Sequence, residues 1–325
     1  MRFIFRGVII ASLFLGAASS ASAQATAWPS RPVKIIVPFA AGGTVDIVSR
    51  SLAERLGALL GQPFIIENRP GAGGNMGTET VVRALNDGYT LLISGSPTIA
   101  VNPHLYKNLS YDPIADLTQI ALIAAAPNLL VVNPNLPVKT VEDLVAIARS
   151  KPGQFSFSSA GNGTSGHLAG ELFRRQAQID IQHVPYKGQA DAITGVIRED
   201  VAFAFVTVAG TLQHVKAGRL RAIAITSKTR SALAPDVPTV VQSGFADFDV
   251  LAWYSMAAPK GMSPEITSRL TRELDKIMKE PAMLERLQTL GAEPSFLIGP
   301  AFVEFVVKDS AKWGKVIRDA GVTVN

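Results

Sequence analysis

The sequence predicts an α/β chain folded as two lobes that face a common cleft. Short apolar strand signals alternate with helix-length periodic segments along its whole length, which is the α/β pattern. One unit, Lys34–Gly61, reads as strand, bare loop and helix, and the same order returns about 120 residues later from Phe155. About 300 residues remain once a leader is removed, enough for two separate cores.

The first unit opens with Lys34, Ile35, Ile36 and Val37, a buried-strand signal ended by Pro38. Ala40, Ala41, Gly42 and Gly43 then carry almost no side chains. From Thr44 the period changes, with Val48, Leu52, Leu56 and Leu59 on one helical face and Gly61 at the expected stop. Free N–H groups at that helix start point back into the loop, and with the helix dipole they suit an anion. An ordinary βα turn, with glycines that only ease packing, fits this stretch alone equally well.

Phe64-Ile65-Ile66 reads as the next strand, followed by Glu67-Asn68-Arg69-Pro70, the glycine-rich run 71–77 and a helix over Thr78–Leu85. Asp87-Gly88 is a turn, Tyr89–Ile93 a strand, and Ser94-Gly95-Ser96-Pro97 its exit. Leu129–Val132 is an apolar strand, and Thr140 caps a helix over Val141–Ala148 with Glu142 and Asp143 in its first turn. The second unit is the strand Phe155–Ser159, the loop 160–167 and the helix Leu168–Gln176. Further strands are expected at Ile181–Val184, Val201–Val206, Ala222–Thr226 and Val250–Ala257. Long helices are expected over Pro264–Met278 and Phe302–Ala320.

Met1–Ala23 has the form of a secretory signal: Arg2 and Arg6, an apolar run Val8–Leu15, and Ala21-Ser22-Ala23 before the cleavage point. The apolar stretch at Ile120–Val132 is interrupted by Pro127 and Asn128, so the mature chain is expected to be soluble in the periplasm. Cleavage leaves 29 basic and 26 acidic residues, a net charge of +3 with no basic block and no indication of nucleic acid. With no cysteine there is no disulfide, thiol nucleophile, thiolate metal site or lipidated cysteine.

Gly161-Asn162-Gly163-Thr164-Ser165-Gly166 matches the dinucleotide pattern, but Asp180 precedes the next strand, whose end carries Tyr186 and Lys187. A hydrolase would need a nucleophile, a base and an orienting acid. Ser165 and His167 are the candidates, yet they lie two apart at a helix start and no G-x-S-x-G elbow surrounds them. His104, His183 and His214 are scattered, and no cluster has metal-ligand spacing. Asp46 falls in the first helical turn, where stabilising that turn's own N–H groups is its expected role. Backbone donors and small hydroxyls remain, which suit binding better than catalysis.

Several stretches together resemble the Bug-type solute receptors of tripartite tricarboxylate transporters. They are 36–43 with Asp46, 67–74, Asp87–Leu91, Tyr111-Asp112-Pro113, 161–164 with His167-Leu168, His183–Gly188, Ala217–Arg221 and Pro235–Thr239. The resemblance implies a two-lobed periplasmic-binding-protein fold of type II-like form. Its lobes would be 24–127 plus 250–325, and 128–249, following the signal at 1–23. It also implies a small carboxylate held between the loops Phe39–Asp46 and Ser158–His167. The loaded receptor, expected as a monomer without cofactor or metal, would be delivered to membrane permease subunits or a periplasmic sensor domain.

The expected ligand residues are Phe39, Gly43, Thr44, Asp46 and Ser96 from the first lobe. From the second they are Ser159, Asn162, Thr164, Ser165, His167, Tyr186 and Thr207. Many relatives carry an aspartate near Val206 or Thr207 and this chain has none, so the expected ligand is a carboxylate without an amine. Gly43 is expected to need its glycine. The alternative function is an exported hydrolase using Ser165 and His167.

Overall fold

The computed structural model describes residues 28–322, so the signal-like segment lies outside the described residues. In chain order the elements are β1 (Val33–Val37), α1 (Thr44–Leu60), β2 (Phe64–Asn68), α2 (Asn75–Val82) and β3 (Thr90–Gly95). A π-helical turn, Pro97–Val101, then runs into α3 (Asn102–Leu105). Next come β4 (Leu117–Val132), α4 (Val141–Ser150), β5 (Phe155–Ser159), α5 (Ser165–Ala177), β6 (Ile181–Pro185), α6 (Gln189–Ile197), β7 (Phe203–Thr207), α7 (Val208–Lys216) and β8 (Arg221–Ile225). The chain closes with β9 (Leu251–Pro259), α8 (Pro264–Ile277), α9 (Pro281–Thr289), β10 (Glu293–Ile298) and α10 (Gly299–Ala320).

Two sheets result, joined through one strand. The first has the order β2-β1-β3-β9-β4, with β10 also on β4. The second runs β4-β7-β5-β6, with β8 also on β4. Within each sheet the βα units are parallel, while β9 and β7 run antiparallel to β4. Strands β1 and β5 therefore aim their carboxyl ends, and the helix starts that follow, at the space between the sheets. This is the two-lobed α/β architecture expected from the repeated unit.

Strand β4 departs from the sequence reading, which began it only at Leu129. All but one of its residues, from Leu117 to Val132, are buried, so it reads as a continuous apolar run without alternation. Pro127 does not end it. Pro127 is the last residue paired with β9, opposite Leu251, and Asn128 is the first paired with β7, opposite Thr207. At this change of partner the missing proline N–H is tolerated.

Smaller shifts matter for the site. Helix α5 begins at Ser165 rather than Leu168 because Thr164 caps it, its hydroxyl accepting the His167 N–H. Helices α6, α7 and α9 and strand β10 carried signals too short or too broken to read. In α7 the helical course is interrupted at Ala209 and Gly210. The long helix α10 packs behind β9, where Asp309 Oδ2 accepts from the indoles of Trp253 (2.8 Å) and Trp313 (3.0 Å). Lys312 pairs with the other oxygen of Asp309 at 2.6 Å.

Candidate ligand-binding cleft

The first glycine-rich loop is held in shape by a buried carboxylate beneath it. Asp46 accepts from the Gly42 N–H (2.9 Å), Arg50 Nε (3.0 Å) and Asn68 Nδ2 (2.9 Å). Asn68 Nδ2 also donates to the Phe39 carbonyl at 3.0 Å, tying the loop to the end of β2. Burial pulls the Asp46 carboxyl upward, but the hydrogen bonds from Arg50, Gly42 and Asn68 outweigh it and hold its pKa below the usual value. The residue that needs glycine here is Gly42, at φ +85°. Gly43 has φ −76° and ψ 167°, which any residue adopts, so the expectation placed on Gly43 shifts by one position.

The second loop is organised in the same way from its own lobe. Thr164 Oγ1 donates to the Gly161 carbonyl at 2.7 Å, and the Gly163 N–H donates to His167 Nδ1 at 3.1 Å. His167 stacks on His183 with ring centroids 4.1 Å apart, and His183 Nε2 lies 2.7 Å from Ser159 Oγ. Burial, then the neighbouring His183, pushes His167 down to about 3, and burial pushes His183 to about 4. Both rings are neutral above that range. Gly166 allows α5 to start against β7, since a Cβ there would collide with the Phe205 carbonyl.

Between these loops lies a cavity of about 200 Å³. Its wall comes from both sheets: Phe39 and Val45, then Ser96, then Asn128, then Thr164 and Ser165, then Gln189 and Thr207. Phe205, Trp253 and Tyr254 supply aromatic surface. The starts of α1, the π-helical turn, α5, α6 and α7 all border it. First-turn N–H groups of this kind lack intrahelical acceptors. Among the described residues, no lysine, arginine, histidine, aspartate or glutamate lines the cavity.

Of the residues expected from sequence, the structure brings Phe39, Ser96, Thr164, Ser165 and Thr207 to this wall. Thr44 stands just behind it, next to the Tyr254 phenol, which burial pushes up to about 12. Gly43 and Asp46 belong to the loop and its support. Ser159 and His167 lie beneath the second loop, while Asn162 is exposed at its tip. Tyr186 packs against α6 beside Gly195 and lines a separate surface depression.

Sequence reading missed Asn128, Gln189, Phe205, Trp253 and Tyr254. Asn128 left a usable trace, as the single amide within the apolar stretch Ile120–Val132. Only 1% exposed, it has both backbone groups held by Thr226, through Thr226 Oγ1 at 2.8 Å and Thr226 N at 2.9 Å. Its Oδ1 accepts from Ser165 Oγ at 3.1 Å, and its Nδ2 has no partner among the described residues. A buried donor left open on a cavity wall is a position for a ligand acceptor.

The same geometry leaves the hydrolase alternative without support. The Ser165 hydroxyl is donated to Asn128, and His167 Nδ1 is taken by the Gly163 N–H. No group of three or more potential metal ligands occurs among the described residues.

A two-lobed α/β chain whose neutral, donor-lined cavity lies between its lobes is a solute-binding protein by fold and site. Residues 48–322 match the tripartite tricarboxylate transporter family receptor, TctC, and the chain belongs to that family. Protein BugT of Bordetella pertussis is 33% identical over 318 residues, 97% of this chain and 98% of BugT. An Agrobacterium vitis protein from the TAR-I ttuE-ttuC' intergenic region is 38% identical over 299 residues, 90% of this chain and 86% of that protein. The structure of R. palustris Rpa4515 with adipate has a TM-score of 0.81 at 33% identity, over 91% of this chain and 99% of Rpa4515. MatC (Rpa3494) from Rhodopseudomonas palustris with bound malate has a TM-score of 0.75 at 28% identity, over 89% and 99%.

Proposed function

We propose that this chain captures a small organic carboxylate in the cleft and delivers it to membrane permease subunits or a periplasmic sensor domain. The lobes that close on the ligand are 24–127 plus 250–325, and 128–249, and the segment 1–23 is a cleaved export signal. The observation that carries this reading is the cavity wall itself. Among the described residues, helix starts and one unpartnered amide converge on it, and no acidic side chain repels an anion there. The carboxylate sits between the starts of α1 and α5, beside Asn128 Nδ2 and Ser96. Ser96 caps the π-helical turn without a side-chain capping bond, so its hydroxyl is available.

Because no carboxylate among the described residues lines the cavity, an ammonium group bound there would go unpaired, at a cost of a few kcal/mol. Acids without an amine are therefore favoured over amino acids. Mass spectrometry of the small molecules released on denaturation identifies what co-purifies. Calorimetry then ranks succinate, citrate and nicotinate against aspartate and glutamate in one buffer. An acid without an amine is expected in both experiments. Tighter binding of either amino acid overturns the amine-free assignment, and no saturable binding of any acid overturns the receptor reading.

A further inference from the structure

Resting on the reading that Asn128 meets the ligand, we infer that Thr226, which lies outside the cavity wall, is a positioning residue that fixes the Asn128 amide and so sets the affinity of the cleft. Among the described residues the chain passes between the two sheets twice. One passage is in β4, between Pro127, the last residue paired with β9, and Asn128, the first paired with β7. The other leads from the end of β8 at Ile225 to the start of β9 at Leu251. Thr226 joins the two. Its N–H donates to the Asn128 carbonyl at 2.9 Å, and its carbonyl accepts from the Val250 N–H at 3.1 Å. Its hydroxyl repeats the link, accepting from the Asn128 N–H at 2.8 Å and donating to the Val250 carbonyl at 2.6 Å.

The hydroxyl is needed here because the strand ladder is incomplete. Two residues directly opposite in a hydrogen-bonded antiparallel pair exchange both backbone bonds. Asn128 and Thr226 make only one of them, since the Thr226 carbonyl is given to Val250, and Oγ1 supplies the missing acceptor. Asn128, Thr226 and Val250 are all buried, so without the hydroxyl neither the Asn128 N–H nor the Val250 carbonyl can turn to bulk water. Asn128 is thereby held at both backbone groups by Thr226 and at Oδ1 by Ser165, which sets the direction of Nδ2 before a ligand arrives. A donor ordered in advance costs little to order on binding. Without the hydroxyl, the Asn128 N–H competes with Ser165 for Oδ1, because asparagine side chains readily bond their own backbone. The amide then turns away from the ligand, although Thr226 itself never touches it.

The test compares Thr226→Val, which keeps the shape and removes the hydroxyl, with Thr226→Ser, which keeps the hydroxyl. Calorimetry uses whichever of succinate, citrate, adipate and nicotinate binds the parent best. Thr226→Ser should bind within about threefold of the parent, and Thr226→Val at least about tenfold more weakly. In an Asn128→Ala background the same Thr226→Val change should alter affinity by less than about twofold, while its loss of urea midpoint should persist in both backgrounds. Parent-like binding by Thr226→Val, or an equal loss of affinity in both backgrounds, overturns the inference and leaves the carboxylate reading standing. If no acid binds, the receptor reading fails, and the positioning is read without ligand. The side-chain amide signals of Asn128 in an NMR spectrum, assigned by their absence from Asn128→Ala, should move in Thr226→Val and stay in place in Thr226→Ser. Unmoved signals in Thr226→Val overturn the inference on their own. Thr226→Ala takes the place of Thr226→Val in each comparison if the valine variant does not fold.

Discussion

Replacing Asn128 by aspartate tests the centre of the site with a near-isosteric change. The open Nδ2 donor becomes an oxygen while Ser165 Oγ, 3.1 Å from Oδ1, can still donate to the carboxylate. No hydrogen bond among the described residues is lost, because Nδ2 has none there. For the ligand, the charge-assisted bond that disappears is worth about 1.5–3 kcal/mol. Two like charges about 4 Å apart repel by about 4 kcal/mol at an effective dielectric constant of about 20. That penalty is capped, since the new carboxyl can take up a proton when the ligand binds. For an aspartate of ordinary pKa, about 3.9, proton uptake at pH 7.5 costs about 5 kcal/mol, and less if burial raises the pKa. Asn128→Asp should therefore weaken binding by about 3–5 kcal/mol, a factor of roughly a hundred to several thousand. The loss should shrink toward pH 5, where a protonated aspartate donates as the amide did. Calorimetry at both pH values, with whichever of benzoate, nicotinate, succinate and adipate binds the parent best, measures this. Unchanged affinity at pH 7.5, or a loss that does not shrink at pH 5, would refute the placement of the carboxylate beside Asn128.

Three further outcomes are expected. Gly42→Val should weaken both stability and binding, because φ +85° is costly for a β-branched residue, whereas Gly43→Ala should bind within about threefold of the parent. Equal tolerance at both positions in the same titration would contradict the loop geometry. Gly166→Ala should cost at least about 2 kcal/mol in urea unfolding, since its new methyl group meets the Phe205 carbonyl, and a parent-like midpoint would count against that contact. The folded pKa values of His167 and His183, about 3 and 4, lie below the unfolded value of about 6.5. Between those limits the unfolded chain binds more protons, so stability rises with pH and is lost as pH falls from about 6.5 toward 4. The slope is up to about 1.4 kcal/mol per pH unit for each ring. Thermal melts of the parent and of His167→Gln/His183→Gln across this window should show a shallower pH dependence in the variant, and parallel curves would deny the pair this role.

Much of the architecture was legible because it rests on local chemistry. The change of period at Thr44, the αL stop at Gly61 and the repeat of strand, glycine loop and helix at Phe155 all depend on neighbours in sequence. These features give the α/β class, the two halves and the two loops that face the cleft. Asp46 differs from its expected role, for it holds the Gly42 N–H of the loop, with Arg50 and the distant Asn68, rather than the N–H groups of its own helical turn. The cavity wall was less legible because its chemistry depends on which polar groups find partners far along the chain. Nothing near Asn128 reveals that Ser165, 37 residues on, takes its oxygen and leaves its amide open, or that Pro127 marks a change of strand partner. Thr207 looked like a free hydroxyl until Gln189, 18 residues before it, closed on it, and Trp253 turns its N–H away only because α10 brings Asp309 behind β9. Local sequence determined where an anion would be met. Tertiary packing decided which donors were left to meet it, because a hydrogen bond already made inside the protein is not available to a ligand.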